Sequence, residues 1–144
     1  MRAIGRILGI DYGRSRVGLA LSDPSGTIAQ PFTVLDRRSD EALFEGLSRI
    51  VAEHEVTHVV LGLPVRLDGT EGAASQEVRT FAETLRERLD VPVDLWDERL
   101  TTARAEREML QADLSRAKRK KRRDKVAAQI LLQSYLDAHR SDDS

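Results

Sequence analysis

Residues 7–13 read Ile-Leu-Gly-Ile-Asp-Tyr-Gly, an apolar run that ends in an aspartate. The apolar residues from Arg6 to Asp11, bounded by Gly5 and Gly13, predict a buried strand. A carboxylate at the end of a buried strand is costly unless it is paired or binds a cation. This stretch therefore predicts a core strand and, at Asp11, a candidate functional residue.

Two more strands are predicted directly after the first. Residues 16–22 place their apolar side chains on one face, and residues 23–26, Asp-Pro-Ser-Gly, form a strong turn signal. Residues 28–35 then predict a third strand, in which Pro31 indicates an edge position or a bulge. The three strands together predict an antiparallel meander.

The rest of the chain alternates between helices and strands. Helices are predicted at about 39–54, 72–89 and 101–110 and from Asp124 onward, and strands at 58–63 and 91–97. This alternation implies right-handed parallel crossovers, which place the first strand centrally. The predicted fold class is α/β, a five-stranded mixed sheet in which a three-stranded antiparallel meander meets two parallel strands, flanked by helices.

Length and composition narrow the possible functions. A chain of 144 residues without cysteine predicts one domain over residues 1–140, with a frayed tail at 141–144. Thiolate metal sites and a cysteine nucleophile are excluded, and three scattered histidines give no metal-ligand spacing. No apolar run approaches the roughly 20 residues that span a bilayer, so we expect a cytoplasmic protein without membrane partners.

Three acidic residues indicate a divalent-metal site. Asp11 and Glu98 both end apolar strands, and ligands of such sheets gather at the carboxyl ends of the strands. Asp124 is predicted to open the last helix. Converging carboxylates suit Mg²⁺ or Mn²⁺, and two such ions can stabilise the attacking and leaving oxygens of a phosphodiester. In that site Asp11 would bridge both ions while Glu98 and Asp124 each anchor one.

Each of these acids also has a purely structural role open to it. Asp11 could cap the turn that follows it. Asp97 could replace Glu98 as the ligand, because successive strand residues point to opposite faces. Asp124 could act only as a helix N-cap or first-turn acid, which the helix dipole favours.

Clustered basic residues predict a polyanionic partner. Residues 116–125 hold eight Lys and Arg against one acid, whereas the remainder carries 15 basic and 23 acidic residues, a net charge of −8. A solvated, flexible basic loop is the alternative. The residues assigned to nucleic-acid contacts are Arg14, Arg16, Arg66, Arg99, Lys118, Arg119, Lys120, Lys121, Arg122 and Arg123.

Four motifs resemble the YqgF/RuvX family, in the same order over nearly the whole chain. They are Asp11-Tyr12-Gly13 with Arg16, Gly18 and Ala20; Gly62-Leu63-Pro64 with Asp68-Gly69; Asp97-Glu98-Arg99-Leu100-Thr101-Thr102; and Asp124-x-x-Ala127-Ala128 with Ile130-Leu131 and Tyr135-Leu136. One departure is visible, because Val65-Arg66 stands where the family usually carries Leu-Asn. An arginine there would contact a phosphate instead of making an amide contact.

The resemblance implies an RNase H-like fold, the acidic triad Asp11, Glu98 and Asp124, and Mg²⁺ or Mn²⁺ as cofactor. It also implies a metal-dependent endonuclease acting on structured nucleic acid. The expected substrate is the 5′ end of precursor 16S ribosomal RNA, and a four-way DNA junction (a Holliday junction) is the alternative. Two coordinated cuts in a junction would require a symmetric homodimer, so the chain is expected to be a monomer or a homodimer.

Two other classes of protein each have one feature in common with this chain. Actin-like and sugar-kinase ATP-binding proteins also end their first strand in an Asp-x-Gly loop, but they normally need two such domains. A non-catalytic RNA-binding factor for ribosome assembly would use the basic block alone, and its binding would depend strongly on salt.

Overall fold

The computed structural model describes residues 5–101 and 116–140, with side chains for all of these except 116–123 and 140. The elements are β1 (Arg6–Tyr12), β2 (Arg16–Ser22), β3 (Ala29–Asp36), α1 (Asp40–Glu53), β4 (Val56–Leu63), α2 (Ala73–Arg88), β5 (Val93–Asp97), a 3₁₀ turn (Glu98–Leu100) and α3 (Arg116–Arg140). None of the helices in these ranges is long and apolar enough to cross a membrane.

The five strands form one sheet in the order β3-β2-β1-β4-β5. β1 is antiparallel to β2 on one side and parallel to β4 on the other. β2 pairs with β3 antiparallel, and β4 pairs with β5 parallel. The predicted meander, the two parallel strands and the central first strand are all confirmed.

Pro31 lies in the edge strand, at a register shift. It pairs with Ala20, and the shift falls between Leu19 and Ala20 of β2. Because proline has no N–H to donate to the ladder, it is tolerated at an edge or a bulge, and here it has both. The predicted role of Pro31 is confirmed.

The two faces of the sheet are covered by different helices. Alternate residues of the strands, such as Leu8, Ile10 and Leu61, join α1 and α2 in the larger hydrophobic core. The intervening residues, such as Val60, pack against α3 in a smaller core. The side-chain period of two in a strand therefore decides which residues face α3.

α3 crosses the whole sheet and is tied to both edge strands. Gln129 Nε2 donates to the carbonyl of Ala29 on β3, at 3.1 Å. On the other edge, the Tyr135 hydroxyl donates to Asp94 of β5, at 2.8 Å. Trp96 of β5 packs edge-on against Tyr135. These contacts fix the direction in which α3 lies over the strands.

Glycines on the strands allow α3 to lie close to the sheet. A Cβ added at Gly18 of β2 would come within 2.0 Å of the Asp124 carbonyl oxygen. One added at Gly9 of β1 would lie 2.8 Å from the Leu132 Cβ. Both distances are shorter than any real contact, so these strand positions require glycine for the helix to pack where it does.

The predicted start of the last helix is wrong. α3 begins at Arg116, so Asp124 lies inside the helix and is not its N-cap or first-turn acid. Arg, Lys and Ala are strong helix formers, and no Gly or Pro interrupts residues 116–140, so the helix continues through the basic block. The basic block is therefore helical, and the loop conformation of the alternative interpretation is wrong.

Smaller differences concern the ends of elements. β4 begins at Val56, two residues before the prediction, and β5 begins at Val93, after Pro92. The predicted cap of α1 is confirmed, since the Ser39 hydroxyl accepts from the Ala42 N–H at 3.1 Å. The helix predicted at 101–110 and the tail at 141–144 lie outside the described residues, apart from Thr101.

Gly18→Ala should lower the free energy of unfolding by about 1–3 kcal/mol, because its methyl group would push the backbone of α3 away from β2. In thermal unfolding followed by circular dichroism, the midpoint should fall by several degrees.

Gly46→Ala is the matched control. Gly46 lies in α1, where an added Cβ would be 3.4 Å from the Leu35 side chain. Alanine also favours a helix over glycine by about 1 kcal/mol. This variant should be as stable as the wild type or more so. Equal stability of the two variants would contradict the close approach of α3.

Candidate functional site

Asp11 lies on the α3 face of the central strand. It pairs with Gly18 across the β1–β2 ladder, and both belong to the strand positions that face α3. Its side chain is half-buried. Burial, followed by the nearby charge of Asp124, raises the pKa of Asp11 to about 6. Among the residues that the structure describes, too little positive charge therefore surrounds this carboxylate to compensate it.

Glu98 reaches the same face from the turn that follows β5. Gly62, at the end of β4, leaves the room for it, because a Cβ at that position would lie 2.8 Å from Glu98 Oε1. Burial raises the pKa of Glu98 to about 7, with smaller contributions from the charges of Asp11 and Asp97. Glu98 and Asp11 therefore interact across the end of β4.

A cavity of about 240 Å³ opens between these two carboxylates and α3. Its lining consists of Asp11, Glu98, Thr101, Ala127, Ile130 and Leu131. The floor is the carboxyl ends of the parallel strands, which is the place where such sheets bind ligands. Two acids and one hydroxyl thus meet beside an apolar wall.

Asp97 does not compete with Glu98 for this cavity. Its carboxylate accepts the Arg99 backbone N–H at 2.9 Å and the Arg99 Nη2 at 2.7 Å. These hydrogen bonds hold the pKa of Asp97 below its usual value. Asp97 caps the 3₁₀ turn, and the turn projects Glu98 toward the cavity. This geometry favours Glu98 over Asp97 as the functional acid.

Asp124 lies close enough to Asp11 for its charge to raise the Asp11 pKa, but it does not line the cavity and is paired with an arginine. Arg16 Nε lies 3.0 Å from Asp124 Oδ2. That oxygen is buried and accepts no hydrogen bond from the described residues. The two findings agree if the charges are close while the N–H points away from the oxygen. The ion pair therefore leaves Asp124 Oδ2 incompletely satisfied.

The donor set fits a hard divalent cation. Two half-buried carboxylates with raised pKa values and a third with an unsatisfied oxygen provide only oxygen ligands, which Mg²⁺ and Mn²⁺ prefer. Within residues 5–101 and 116–140, however, no three Asp, Glu or His side chains are arranged as a group that could hold a metal ion. The metal-binding roles of Asp11, Glu98 and Asp124 stay predictions.

The basic residues that were predicted to contact phosphate differ in their exposure and in their partners. The Arg14 side chain is exposed, whereas Arg16 is paired with Asp124 and Arg99 with Asp97. Arg66 Nη1 donates to the Thr70 hydroxyl at 3.4 Å. The side chains from Lys118 to Arg123 lie outside the described part of the chain, and only their helical backbone is known. None of these observations tests nucleic-acid binding.

Arg37 contacts the turn next to the candidate site, a role that the sequence did not indicate. Its Nη1 donates to the carbonyls of Gly13 and Arg14, at 2.8 and 3.1 Å, and its guanidinium lies 4.3 Å from the centre of the Tyr12 ring. Arg37 therefore holds the turn that follows Asp11. No local pattern reveals this, since Arg37 and Gly13 are 24 residues apart.

Comparison with known sequences gives matches over nearly the full length. A family profile described as "RuvX: Holliday junction resolvase" matches residues 5–138. A Myxococcus xanthus protein is 50% identical over 139 residues, 96% of this chain and 92% of the relative. One from Thermoanaerobacter pseudethanolicus is 47% identical over 137 residues, covering 94% and 99%. Both relatives are provisionally named pre-16S rRNA nucleases.

Comparison with solved structures confirms the predicted RNase H-like fold. Thermus thermophilus RuvC in complex with a Holliday junction matches with a TM-score of 0.62 and 14% identity, over 95% of this chain and 96% of that one. A Fowlpox virus resolvase bound to junction DNA matches with a TM-score of 0.58 and 13% identity, over 92% and 97%. At such low identity the likeness concerns the fold alone.

The metal-free protein should lose stability as the pH rises from about 4 to 7. A carboxyl whose pKa is raised on folding binds its proton more tightly in the folded state, so stability falls as the pH rises through the folded value. Asp11 titrates near 6 and Glu98 near 7. A rise in the Asp11 pKa from 3.8 to about 6 corresponds to roughly 3 kcal/mol, which is measurable by urea unfolding in a chelating buffer.

Asp11→Asn should flatten this pH profile and make the metal-free protein more stable at pH 8. Asp36→Asn, which removes an exposed carboxylate of β3, is the matched control and should keep the wild-type slope. Identical slopes for the two variants would show that Asp11 does not carry an uncompensated charge.

Proposed function

This chain belongs to the RuvX family, and we propose that it is a divalent-metal-dependent nuclease that processes the 5′ end of precursor 16S ribosomal RNA. The observation that carries the proposal is the shared cavity of Asp11 and Glu98 at the carboxyl ends of the central strands. Both acids have raised pKa values there. A bound cation would satisfy this uncompensated negative charge.

Each acid has a distinct place in the proposed mechanism. Asp11, on the rigid central strand, and Glu98, on the capped turn after β5, would hold the cation from two sides. Asp124 would complete the ligand set from α3. When bound, the cation supplies the Lewis acidity and positive charge that phosphodiester hydrolysis needs. Ala127 and Ile130 of α3 form an apolar wall of the same cavity.

The basic part of α3 would bring the substrate to these acids. α3 continues for eight residues on the N-terminal side of Asp124, from Arg116 to Arg123, which is about 12 Å of helix. Seven of these eight residues are Lys or Arg. Contacts between such a helix and backbone phosphates bind RNA through charge and shape rather than base sequence. With only 4% aromatic residues, base stacking contributes little.

Ribosomal RNA is the preferred substrate in this proposal, and a DNA junction is the second candidate. Relatives about half identical to this chain bear the rRNA nuclease name. The junction is favoured by the family description and by the junction-bound structures with the same fold. A junction resolvase would act as a symmetric dimer, whereas trimming one RNA end requires only a monomer. We place the rRNA activity in the cytoplasm, where ribosomal subunits mature.

Asp11→Asn should reduce Mn²⁺-dependent cleavage of a precursor 16S fragment by at least about 100-fold, or roughly 2.7 kcal/mol of transition-state stabilisation. The measurement is single-turnover cleavage of that fragment and of a four-way DNA junction, each with Mn²⁺ or a chelator. Folding of the variant is checked by its unfolding midpoint.

Asp36→Asn is again the matched control and should cleave like the wild type. Glu98→Gln should be as impaired as Asp11→Asn, whereas Asp97→Asn should retain more activity because Asp97 only caps the turn. Full activity of Asp11→Asn would remove Asp11 from the mechanism. If wild type cleaves neither substrate and Asp11→Asn still supports 16S maturation in cells, the non-catalytic RNA-binding role is correct.

A further inference from the structure

Arg16 contacts Asp124 because α3 packs closely against β2. It is the first residue of β2, two positions before Gly18, so the side-chain period directs it to the α3 face. Because Gly18 has no side chain, the backbone of Asp124 packs directly against β2. Arg16 Nε therefore meets Asp124 Oδ2 at 3.0 Å.

This ion pair is partly shielded from water but poorly hydrogen-bonded. The Arg16 and Asp124 side chains are 24% and 30% exposed, so solvent and salt screen their attraction less than at an open surface. Asp124 Oδ2 is itself buried and lacks a hydrogen bond within the described residues. The pair is thus held by charge rather than by directed hydrogen bonds, and another cation can replace Arg16.

We propose that Arg16 is the resident counter-charge of Asp124 and competes with the divalent cation for that carboxylate. The inference rests on the proposed function and deepens it. The cation binds fully once Asp124 leaves Arg16 and turns toward Asp11 and Glu98. Arg16 is accordingly a positioning residue that sets metal affinity, rather than a ligand of the metal.

The exchange requires only side-chain movement. The Asp124 backbone lies inside a helix and against Gly18, so the main chain is fixed while the carboxylate can rotate about its side-chain bonds. While Arg16 holds Asp124, the described acids do not form a group of three that could bind a metal ion. In the proposed exchange, release of Asp124 from Arg16 would let this carboxylate complete the ligand set.

The opposite role for Arg16 would be to orient Asp124 for the metal. The two roles predict opposite changes in affinity. If Arg16 competes with the cation, its removal tightens metal binding. If Arg16 orients the ligand, its removal weakens metal binding. Mn²⁺ affinity therefore separates the two roles without any measurement of cleavage.

The test is calorimetric titration of the full chain with Mn²⁺ alone, for wild type, Arg16→Ala and Arg14→Ala. Arg14→Ala removes the same charge from the same turn at an exposed side chain, so it corrects for long-range electrostatics. Arg16→Ala should bind Mn²⁺ about fivefold more tightly than Arg14→Ala, the effect of one partly exposed ion pair.

Arg16→Lys covers the case in which Arg16→Ala fails to fold. It keeps the charge on a more flexible side chain, and its Mn²⁺ affinity should fall between those of the wild type and Arg16→Ala. Where Arg16→Ala is unfolded, Arg16→Lys should still bind Mn²⁺ more tightly than the wild type. Unfolding midpoints without metal identify which comparison applies.

Mn²⁺ affinity of Arg16→Ala equal to or below that of Arg14→Ala overturns the inference. If the wild type binds Mn²⁺ and cleaves RNA while Arg16→Ala binds no more tightly, only the inference fails. If neither the wild type nor the variants bind Mn²⁺ and the wild type cleaves nothing, the proposed function fails as well.

Discussion

The close approach of α3 to a glycine-bearing face of the sheet is the constraint on which the candidate site depends. Gly9 and Gly18 let the helix backbone reach β1 and β2, and Gly62 leaves room for Glu98 above β4. A side chain at any of these positions would lift the helix or displace the acid. The cavity, its apolar wall and the place of Asp124 all follow from this packing.

The same packing concentrates negative charge that the described side chains around Asp11 and Glu98 do not neutralise. Arginines restrain the surroundings of the site: Arg37 holds the turn after Asp11, Arg99 holds Asp97, and Arg16 holds Asp124. Asp11 and Glu98 are left with raised pKa values. Unmet charge in a cleft is typical of functional sites, where stability is exchanged for binding or catalysis.

Local patterns in the sequence predict most of the fold. Several of these predictions depend only on residues close together in the sequence, and the structure agrees with them. They are the strand periodicity, the turn at residues 23–26, the edge position of Pro31 and the helix cap at Ser39. The predicted start of α3 is wrong because the sharp change in charge at Asp124 suggests a boundary, while the helix-forming residues before it continue the helix. The charge pattern predicts a boundary at Asp124, whereas helix propensity predicts a continuous helix, and the structure has the continuous helix.

The site is only partly predictable for a physical reason. The topology places Asp11 and Glu98 at one edge of the sheet, so their proximity could be inferred. Other contacts join residues that are far apart in the sequence. Arg37 and Gly13 are 24 positions apart, and Arg16 and Asp124 are 108 positions apart. Such contacts depend on how α3 and the loops pack, and no local pattern encodes them.

The most direct test of the central claim is the location of a bound cation by anomalous X-ray scattering from crystals of the protein equilibrated with Mn²⁺. The account predicts an anomalous peak in the cavity beneath α3, within about 2.2 Å of carboxylate oxygens of both Asp11 and Glu98. A sole peak at Asp97 or Asp68, or an empty cavity at saturating Mn²⁺, would contradict it.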